Sequence, residues 1–318
     1  MLDGRSMTRS RTPLVHLLRR TGYEMEGLLP AAAECLEHVL PREIQSSTVL
    51  IKPNFISRQN ASLSCTHPAL IEAVCAYFSS RGNTVFVGDC PAFGSARSVA
   101  AALDLPGRLT PYGARILELK TTWPRAARTG EGPTLARLPD EVKLVVNLPK
   151  LKAHKQMAIS GATKNLFGLV PGVRKALAHV RYGGSRLEFA RMILDLLPDC
   201  PESVSLMDGI RAMHKSGPTD GEPCECGILG ASSDPVALDT AVYCALGLTP
   251  QEVPLWRAAQ ERGLMGADPE ALVFSGIRPD DWGQGFQMPS ELNPVGFHPL
   301  RLTKSICKRG LARLRPPV

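Results

Sequence analysis

Residues 47–89 read STVLIKPNFISRQNASLSCTHPALIEAVCAYFSSRGNTVFVGD, and this stretch decides the fold. Its first residues, 47–52, are mainly β-branched and apolar, which predicts a buried strand that ends at a Pro-Asn turn. Apolar residues then recur at helical spacing up to Gly82, a residue type that commonly ends helices. A second apolar run at 83–89 predicts the next strand. Strand, helix and strand in this order indicate a βαβ unit.

The same alternation continues along the chain. Further strands are predicted at 114–120, 142–148, 203–209 and 271–276, and further helices at 95–105, 185–197, 234–248 and 249–264. This pattern predicts an α/β fold with a mainly parallel sheet and helices on both faces. We expect a helical or irregular N-terminal extension at 1–46, the α/β domain at 47–276, and an irregular, basic C-terminal tail at 277–318.

The net charge of +7 is concentrated at the two ends of the chain. Residues 301–315 are rich in Lys and Arg and contain neither an acid nor an aromatic residue, which disfavours base stacking. The central body is close to neutral, so a nucleic-acid interface over the whole surface is disfavoured. No apolar run is long enough to span a membrane and no signal-peptide core follows the N-terminus, so we expect a cytoplasmic protein.

The nine cysteines do not predict a disulfide framework, because their number is odd and no export signal is seen. No C-x-x-C motif occurs. Cys224 and Cys226 form a C-x-C pair, which is half of a metal site. Cys65 or Cys90 could complete that site in space.

Polar residues follow four of the predicted strands. They are Lys52-Pro53-Asn54, Gly88-Asp89, the run from Asn147 to Lys152, and Asp208-Gly209. In open α/β sheets, ligands bind beyond the carboxyl ends of the strands, so these groups are predicted to meet in one crevice. The alternative for each of them is turn formation alone.

The segment 147–172, NLPKLKAHKQMAISGATKNLFGLVPG, is the most basic of these strand ends. Its stretch from Gly161 to Gly168 predicts a short helix with glycine at each border. Free N–H groups at a helix N-terminus, with lysines beside them, would cradle a phosphate or carboxylate. The spacing is not that of a P-loop, and no dinucleotide fingerprint follows any strand. A solvated basic loop is the alternative.

Histidines supply the candidate proton-transfer groups. His154 lies between lysines, which should lower its pKa and favour neutral imidazole, as a base or a ligand requires. His67 precedes a proline at a predicted helix start and could act as an N-cap instead. His179 is a further candidate, whereas His214 and His298 lie in Gly- and Pro-rich surroundings and are weaker ones.

Four aspartates could offer oxygen ligands to a divalent cation such as Mg²⁺. Asp89 and Asp208 are favoured because they end strands. Asp234 precedes a proline and is better explained as a helix cap, while Asp239, in the same helix, is either core-facing or exposed.

Taken together, these stretches resemble the family called domain of unknown function 362. The matching segments are VLIKPNFI (49–56), THPALIEAV (66–74), VFVGDCPAFG (85–94), LVVNLPKLKAHKQMAISGATKNLFGLVPG (144–172), MDGIRAMHKSGPTDGEP (207–223) and GASSDPVALDTAVYCALGL (230–248). The resemblance implies that some relatives carry a ferredoxin-type domain with iron–sulfur clusters, but this chain lacks the ferredoxin cysteine run.

The sequence therefore predicts an enzyme that acts on a small anionic metabolite at the carboxyl edge of the sheet. Lys52, Lys150, Lys152 and Lys164 would neutralise the anion, and Asn54, Asn147 and Asn165 would orient it. His154 or His67 would move a proton, and Asp89 and Asp208 would hold a cation or position the histidine. One alternative is an iron–sulfur or redox accessory protein. The other binds nucleic acid or an anionic membrane through residues 301–315.

Overall fold

The computed structural model describes residues 12–120, 122, 132–279, 282 and 285–295. The strands are β1 Leu14–Arg19, β2 Thr48–Pro53, β3 Thr84–Asp89, β4 Arg115–Glu118, β5 Val142–Leu148, β6 Lys150–His154, β7 Ala158–Ser160, β8 Ser203–His214, β9 Glu222–Cys224, β10 Ile228–Ser232 and β11 Val273–Gly276. The α-helices are α1 Met25–Val39, α2 Ala61–Ser64, α3 Pro68–Ser79, α4 Ala96–Ala102, α5 Leu105–Leu109, α6 Ala162–Leu166, α7 Val173–Tyr182, α8 Arg186–Asp195, α9 Pro235–Ala245 and α10 Pro254–Glu261.

The strands form one mixed, mostly parallel sheet with the order β11-β1-β10-β8-β5-β2-β3-β4. The pairs from β8 through β5, β2 and β3 to β4 are parallel, so the carboxyl ends of these strands lie at one edge of the sheet. Strand β10 pairs antiparallel with both β1 and β8, and the short β6, β7 and β9 extend the sheet beside β8. The predicted α/β class is confirmed.

Helices cover both faces of the sheet. Along β5, Val145 faces one hydrophobic core, which α8, α9 and α10 complete. Its neighbours Leu144 and Val146 face a second core, which α1, α3 and α4 complete. Because successive strand residues point to opposite faces, this run of buried residues is typical of a strand covered on both sides.

The first strand lies within the sheet, although the sequence predicted only a helical or irregular extension there. Strand β1 pairs with β10 on one side and with β11 on the other, and α1 packs against α3. Its apolar run is short and is followed by arginines, so periodicity alone gave little signal. The boundaries at residues 46 and 276 stay predictions, and residues 296–318 of the basic tail lie outside the described residues.

In the described part of the chain, no helix is both long and apolar enough to cross a membrane.

We expect Leu17→Ala to lower the free energy of unfolding by about 2–5 kcal/mol, because this β1 side chain is fully buried and its removal leaves a cavity. The measurement is urea denaturation followed by circular dichroism. Val273→Ala is the control, since Val273 is 45% exposed on the neighbouring β11. Equal, small losses in the two variants would show that the first strand adds little to the stability of the sheet.

Candidate functional site

Buried ion pairs lie at the carboxyl edge of the sheet. Lys52 at the end of β2 is fully buried, and its Nζ lies 2.9 Å from Oδ1 of Asp89, which ends the neighbouring β3. Asp89 also accepts hydrogen bonds from the backbone N–H groups of Phe55 and Cys90, each at 2.9 Å. The carboxylate is thus surrounded by donors, and the charge of Lys52 is neutralised within the protein.

A second buried pair lies where β6 meets β8. Nζ of Lys150 is 2.8 Å from Oδ2 of Asp208, and the Tyr23 hydroxyl donates to Oδ1 of the same carboxylate at 2.6 Å. The backbone N–H of His67 donates to Oδ2 of Asp208 at 2.8 Å. Burial and the adjacent carboxylate raise the pKa of Tyr23, so its hydroxyl stays protonated and donates.

Both aspartates predicted to hold a cation therefore hold lysines instead. Within the described ranges, no group of three or more His, Cys, Asp or Glu residues is arranged to hold a metal ion. The Sγ atoms of Cys224 and Cys226 lie 3.5 Å apart, and Cys90 Sγ donates to the Leu119 carbonyl rather than completing a site. The structure thus gives no support for the predicted cation or for a cluster.

Three asparagines connect the strand ends to α6 through a chain of side-chain hydrogen bonds. Nδ2 of Asn54 donates to Oδ1 of Asn165 at 2.7 Å, and Nδ2 of Asn165 donates to Oδ1 of Asn147 at 2.8 Å. Asn147 then donates to the Ser205 hydroxyl at 3.0 Å. At the other end, Nζ of Lys152 donates to Oδ1 of Asn54 at 2.5 Å. The predicted asparagines do meet, but they bond to one another and hold α6 in place.

The N-terminus of α6 is occupied by a carboxylate of the protein itself. Asp239 of α9 is 2% exposed and accepts the N–H groups of Ala162 and Thr163, at 2.5 and 2.9 Å. Burial raises the pKa of Asp239 to about 7 despite these donors. The prediction that the N-terminus of α6 binds the anion of a ligand is therefore wrong, because the Asp239 carboxylate already caps this helix.

Two lysines remain without a counter-charge. Neither Lys152 nor Lys164 forms an ion pair with a described carboxylate, and the ammonium group of Lys164 makes no hydrogen bond to any residue that the structure describes. Lys152 is fully buried, whereas Lys164 is partly exposed. Burial lowers the pKa of each to about 7; Lys164 further lowers the pKa of Lys152, and Lys175 that of Lys164.

Two neutral histidines flank these lysines. Burial, together with Lys164, Lys152 and His179, lowers the pKa of His154 well below its usual value. Nδ1 of His154 accepts the backbone N–H groups of Gln156 and Met157, so its proton is at Nε2. Burial likewise lowers the pKa of His179 to about 4, and its Nδ1 lies 3.0 Å from the Val295 carbonyl, to which it donates.

The other predicted proton-transfer residue, His67, is an N-cap. Its Nδ1 accepts the N–H of Ala69 at 3.2 Å at the start of α3, and its ring stacks on Tyr23 with centroids 3.6 Å apart. Burial lowers its pKa to about 4. Asp234 is the cap of α9, as predicted, and accepts the N–H of Val236 at 2.8 Å.

Three residues shape this edge in ways that the sequence did not predict: Tyr23 and Lys175 were not identified, and Asp239 was named only as a possible cation ligand. Tyr23 had no signal, because it lies in the predicted extension. Asp239 left a weak signal, since a lone acid in an apolar helix needs a buried partner. Lys175 of α7 donates to the Cys90 carbonyl at 2.6 Å, and its proximity lowers the pKa of Lys164. We call Lys152, His154, Lys164, Lys175 and His179 the lysine–histidine cluster.

The chain is an α/β protein whose mostly parallel sheet is covered by helices on both faces and carries buried lysines at its carboxyl edge. The family model described as Domain of unknown function (DUF362) matches residues 49–244, and the chain belongs to that family. A thylakoid-associated protein, sll1697, of Synechocystis is 35% identical over 321 residues, which covers 92% of this chain and 93% of that protein.

Two solved structures are similar at 10% sequence identity. They are a protein from Thermotoga maritima, with a TM-score of 0.38 over 67% of this chain and 56% of that one, and the lactate racemase apoprotein of Thermoanaerobacterium thermosaccharolyticum, with a TM-score of 0.43 over 70% and 54%. The chain spans just over half the length of each of these structures.

We expect Gly161→Ala to lower the free energy of unfolding by about 1–3 kcal/mol. A Cβ at this position would lie against the Asp239 carboxylate, which cannot move without losing its two backbone donors. Thermal and urea unfolding measure the loss. Gly107→Ala is the control, because the nearest atom there is 4.0 Å away. If both variants kept wild-type stability, the close packing of α6 on Asp239 would be disproved.

We expect Asp89→Asn to cost about 3–5 kcal/mol of unfolding free energy at pH 7, since it leaves the Lys52 ammonium group buried without a counter-charge. Asp140→Asn removes an exposed carboxylate that pairs with Arg137 and should cost less than about 1 kcal/mol. Urea denaturation compares the two. A small loss in both would mean that Lys52 is solvated or uncharged in the folded protein.

Proposed function

We propose that the protein is an enzyme that binds a small anionic metabolite, bearing a carboxylate or phosphate group, at the lysine–histidine cluster. One observation carries the proposal: Lys164 presents an ammonium group that has no counter-ion and no hydrogen-bond acceptor among the described residues, beside two further lysines. Like charges in a desolvated setting destabilise one another, and a bound anion relieves that cost.

The division of roles among the lysines supports this assignment. Lys52 and Lys150 are neutralised by Asp89 and Asp208, so they add little net charge for a ligand. Lys152 is fixed by Asn54 and by the Ser64 carbonyl at 2.6 Å, both uncharged acceptors, and so keeps its positive field. The anion would therefore lie against Lys164 within the field of Lys152.

The histidines fit a role in proton transfer. His154 carries its proton at Nε2 and can donate a hydrogen bond to an oxygen of the bound anion or to a leaving group. His179 donates from Nδ1 to the Val295 carbonyl, so the neutral ring carries its proton at that nitrogen. A lysine whose pKa is near 7 can also lose its proton at neutral pH and act as a base.

The predicted iron–sulfur function and the predicted binding of nucleic acid gain no support from the described residues. Burial raises the pKa of the Cys90 thiol to about 12, which disfavours the thiolate that a metal or cluster requires. Residues 301–315 lie outside the described ranges.

We expect sulfate and oxalate to bind more tightly at pH 6 than at pH 8, with a dissociation constant that changes about tenfold or more. Sulfate and oxalate keep a constant charge over this range, so a change in the dissociation constant must come from protonation of groups on the protein. Since the pKa values of Lys152 and Lys164 are near 7, both side chains are positively charged below pH 7 and lose that charge as the pH rises above it. Isothermal titration calorimetry in two buffers of different ionisation enthalpy would also show proton uptake on binding above pH 7.

Lys164→Met tests the assignment directly. It should abolish binding of both anions, while Lys143→Met, at an exposed lysine, should leave binding unchanged. The pKa of Lys164 is lower in the folded state than in the unfolded state. Below pH 7 the side chain is charged in both states, and its charge destabilises the folded state to the full extent. Between pH 7 and about 10.5 the folded state loses this charge, so the free energy of unfolding rises with pH. Lys164→Met should therefore be as stable as wild type or about 1 kcal/mol more stable at pH 7, which excludes unfolding as the cause of lost binding.

Catalysis is tested by incubating the protein with phosphate monoesters and with hydroxy- and oxo-carboxylates, and following turnover by proton NMR. His154→Asn should remove turnover of any substrate found while anion binding persists. Anion binding that survives Lys164→Met, or that does not depend on pH between 6 and 8, would contradict the proposed site.

A further inference from the structure

The outer face of α7 is apolar where a surface helix is normally polar. Val173, Leu177 and Val180 recur at i, i+4 and i+7 and are 42%, 51% and 45% exposed. An amphipathic helix normally turns such a stripe toward the core. Here the buried side of the helix is formed by Ala178 and by the polar residues Lys175 and His179, so the stripe is left in solvent.

Two arginines lie on this same exposed face. Arg174 and Arg181 are seven positions apart and exposed, and neither forms an ion pair with a carboxylate of the described residues. Helix α7, VRKALAHVRY, contains no acidic residue. An apolar stripe flanked by arginines is typical of helices that lie in the interface of an anionic membrane, where apolar side chains enter the acyl boundary and cations meet lipid phosphates.

The charge of the surroundings points to the same occupant. The Val295 carbonyl, the last described position of the chain, accepts a hydrogen bond from His179 of α7. Residues 296–318 are rich in Lys and Arg and contain no acid, so their charge has the same sign as that of α7. A second copy packed face to face would likewise set arginine against arginine. An anionic surface complements the face, whereas these two candidates repel it.

We propose that the outer face of α7 docks the protein on an anionic lipid bilayer. Val173, Leu177 and Val180 enter the boundary between head groups and acyl chains, and Arg174 and Arg181 contact lipid phosphates. This assignment does not depend on what the lysine–histidine cluster binds.

The test is co-sedimentation of the full chain with vesicles of phosphatidylcholine alone and with 30 mol% phosphatidylglycerol, at about 0.1 M salt. We expect binding to the anionic vesicles only. Leu177→Gln/Val180→Gln should weaken that binding about tenfold or more, because it removes two apolar side chains from the interface. Arg174→Glu/Arg181→Glu should weaken it by at least as much and should remove most of its salt dependence.

Val273→Gln is the matched control, since Val273 has the same residue type and the same 45% exposure as Val180 but lies on β11. It should bind as wild type does, and circular dichroism should show all variants folded. Three results would overturn the proposal. The first is no binding to the anionic vesicles. The second is binding that the α7 variants do not change, which would move the contact to another part of the chain. The third is a concentration-dependent dimer that Leu177→Gln/Val180→Gln disperses, with no lipid binding, which would assign the face to a second copy.

Discussion

Burial of lysine ammonium groups is the constraint on which the carboxyl edge of the sheet depends. A charge that leaves water costs several kcal/mol unless a counter-charge or a set of hydrogen bonds replaces the solvent. The protein meets this cost in two ways. Asp89 and Asp208 neutralise the lysines that end β2 and begin β6, whereas Lys152 has only uncharged acceptors. Pairing with an aspartate fixes the strand ends in place, whereas the uncharged acceptors of Lys152 leave a positive electrostatic potential at this edge.

The position of Lys164 depends on a second internal anion. Asp239 holds the first N–H groups of α6, and Asn165 in the same helix bonds to asparagines from two strand ends. Helix α6 is only five residues long and would be unstable alone, so these contacts position it. Gly161 permits the close approach of the Asp239 carboxylate. The backbone of Lys164 is thus fixed by hydrogen bonds on both sides of α6, as a preorganised site would require.

Much of the fold could be predicted from the sequence, because apolar runs and helical spacing report burial directly. The strands at 47–52, 83–89 and 142–148 each have a clear local pattern, and their parallel pairing follows from the helices between them. Strand β1 and the short β6 and β7 were missed, because His16 interrupts the apolar run of β1, β6 carries two lysines and a histidine, and β7 has only three residues. Their places in the sheet are decided by partners distant in the sequence.

The candidate site, like the fold, could be predicted only in part from the sequence. The sequence identified the polar residues at the strand ends, because each follows a buried strand of the parallel sheet. It could not tell which lysines are neutralised, since Lys52 and Lys150 have the same local appearance as Lys152 and Lys164. The difference lies in Asp89, Asp208 and Tyr23, which are brought in by tertiary contacts over 37 to 185 positions. The roles of His67 and Asp239 were likewise decided by backbone N–H groups that only the folded chain presents.

The balance of charge at this edge argues for an anionic ligand rather than a cation. Each carboxylate that the described residues place there already has a lysine or backbone donors for its oxygens, so none is left to attract a cation. The cations are in excess by Lys152 and Lys164, and Lys175 adds further positive charge nearby. Neutral His154 and His179 add no negative charge. Because an unbalanced positive cluster repels a metal ion, the residues that we propose to bind a carboxylate or a phosphate argue against a cation at this site.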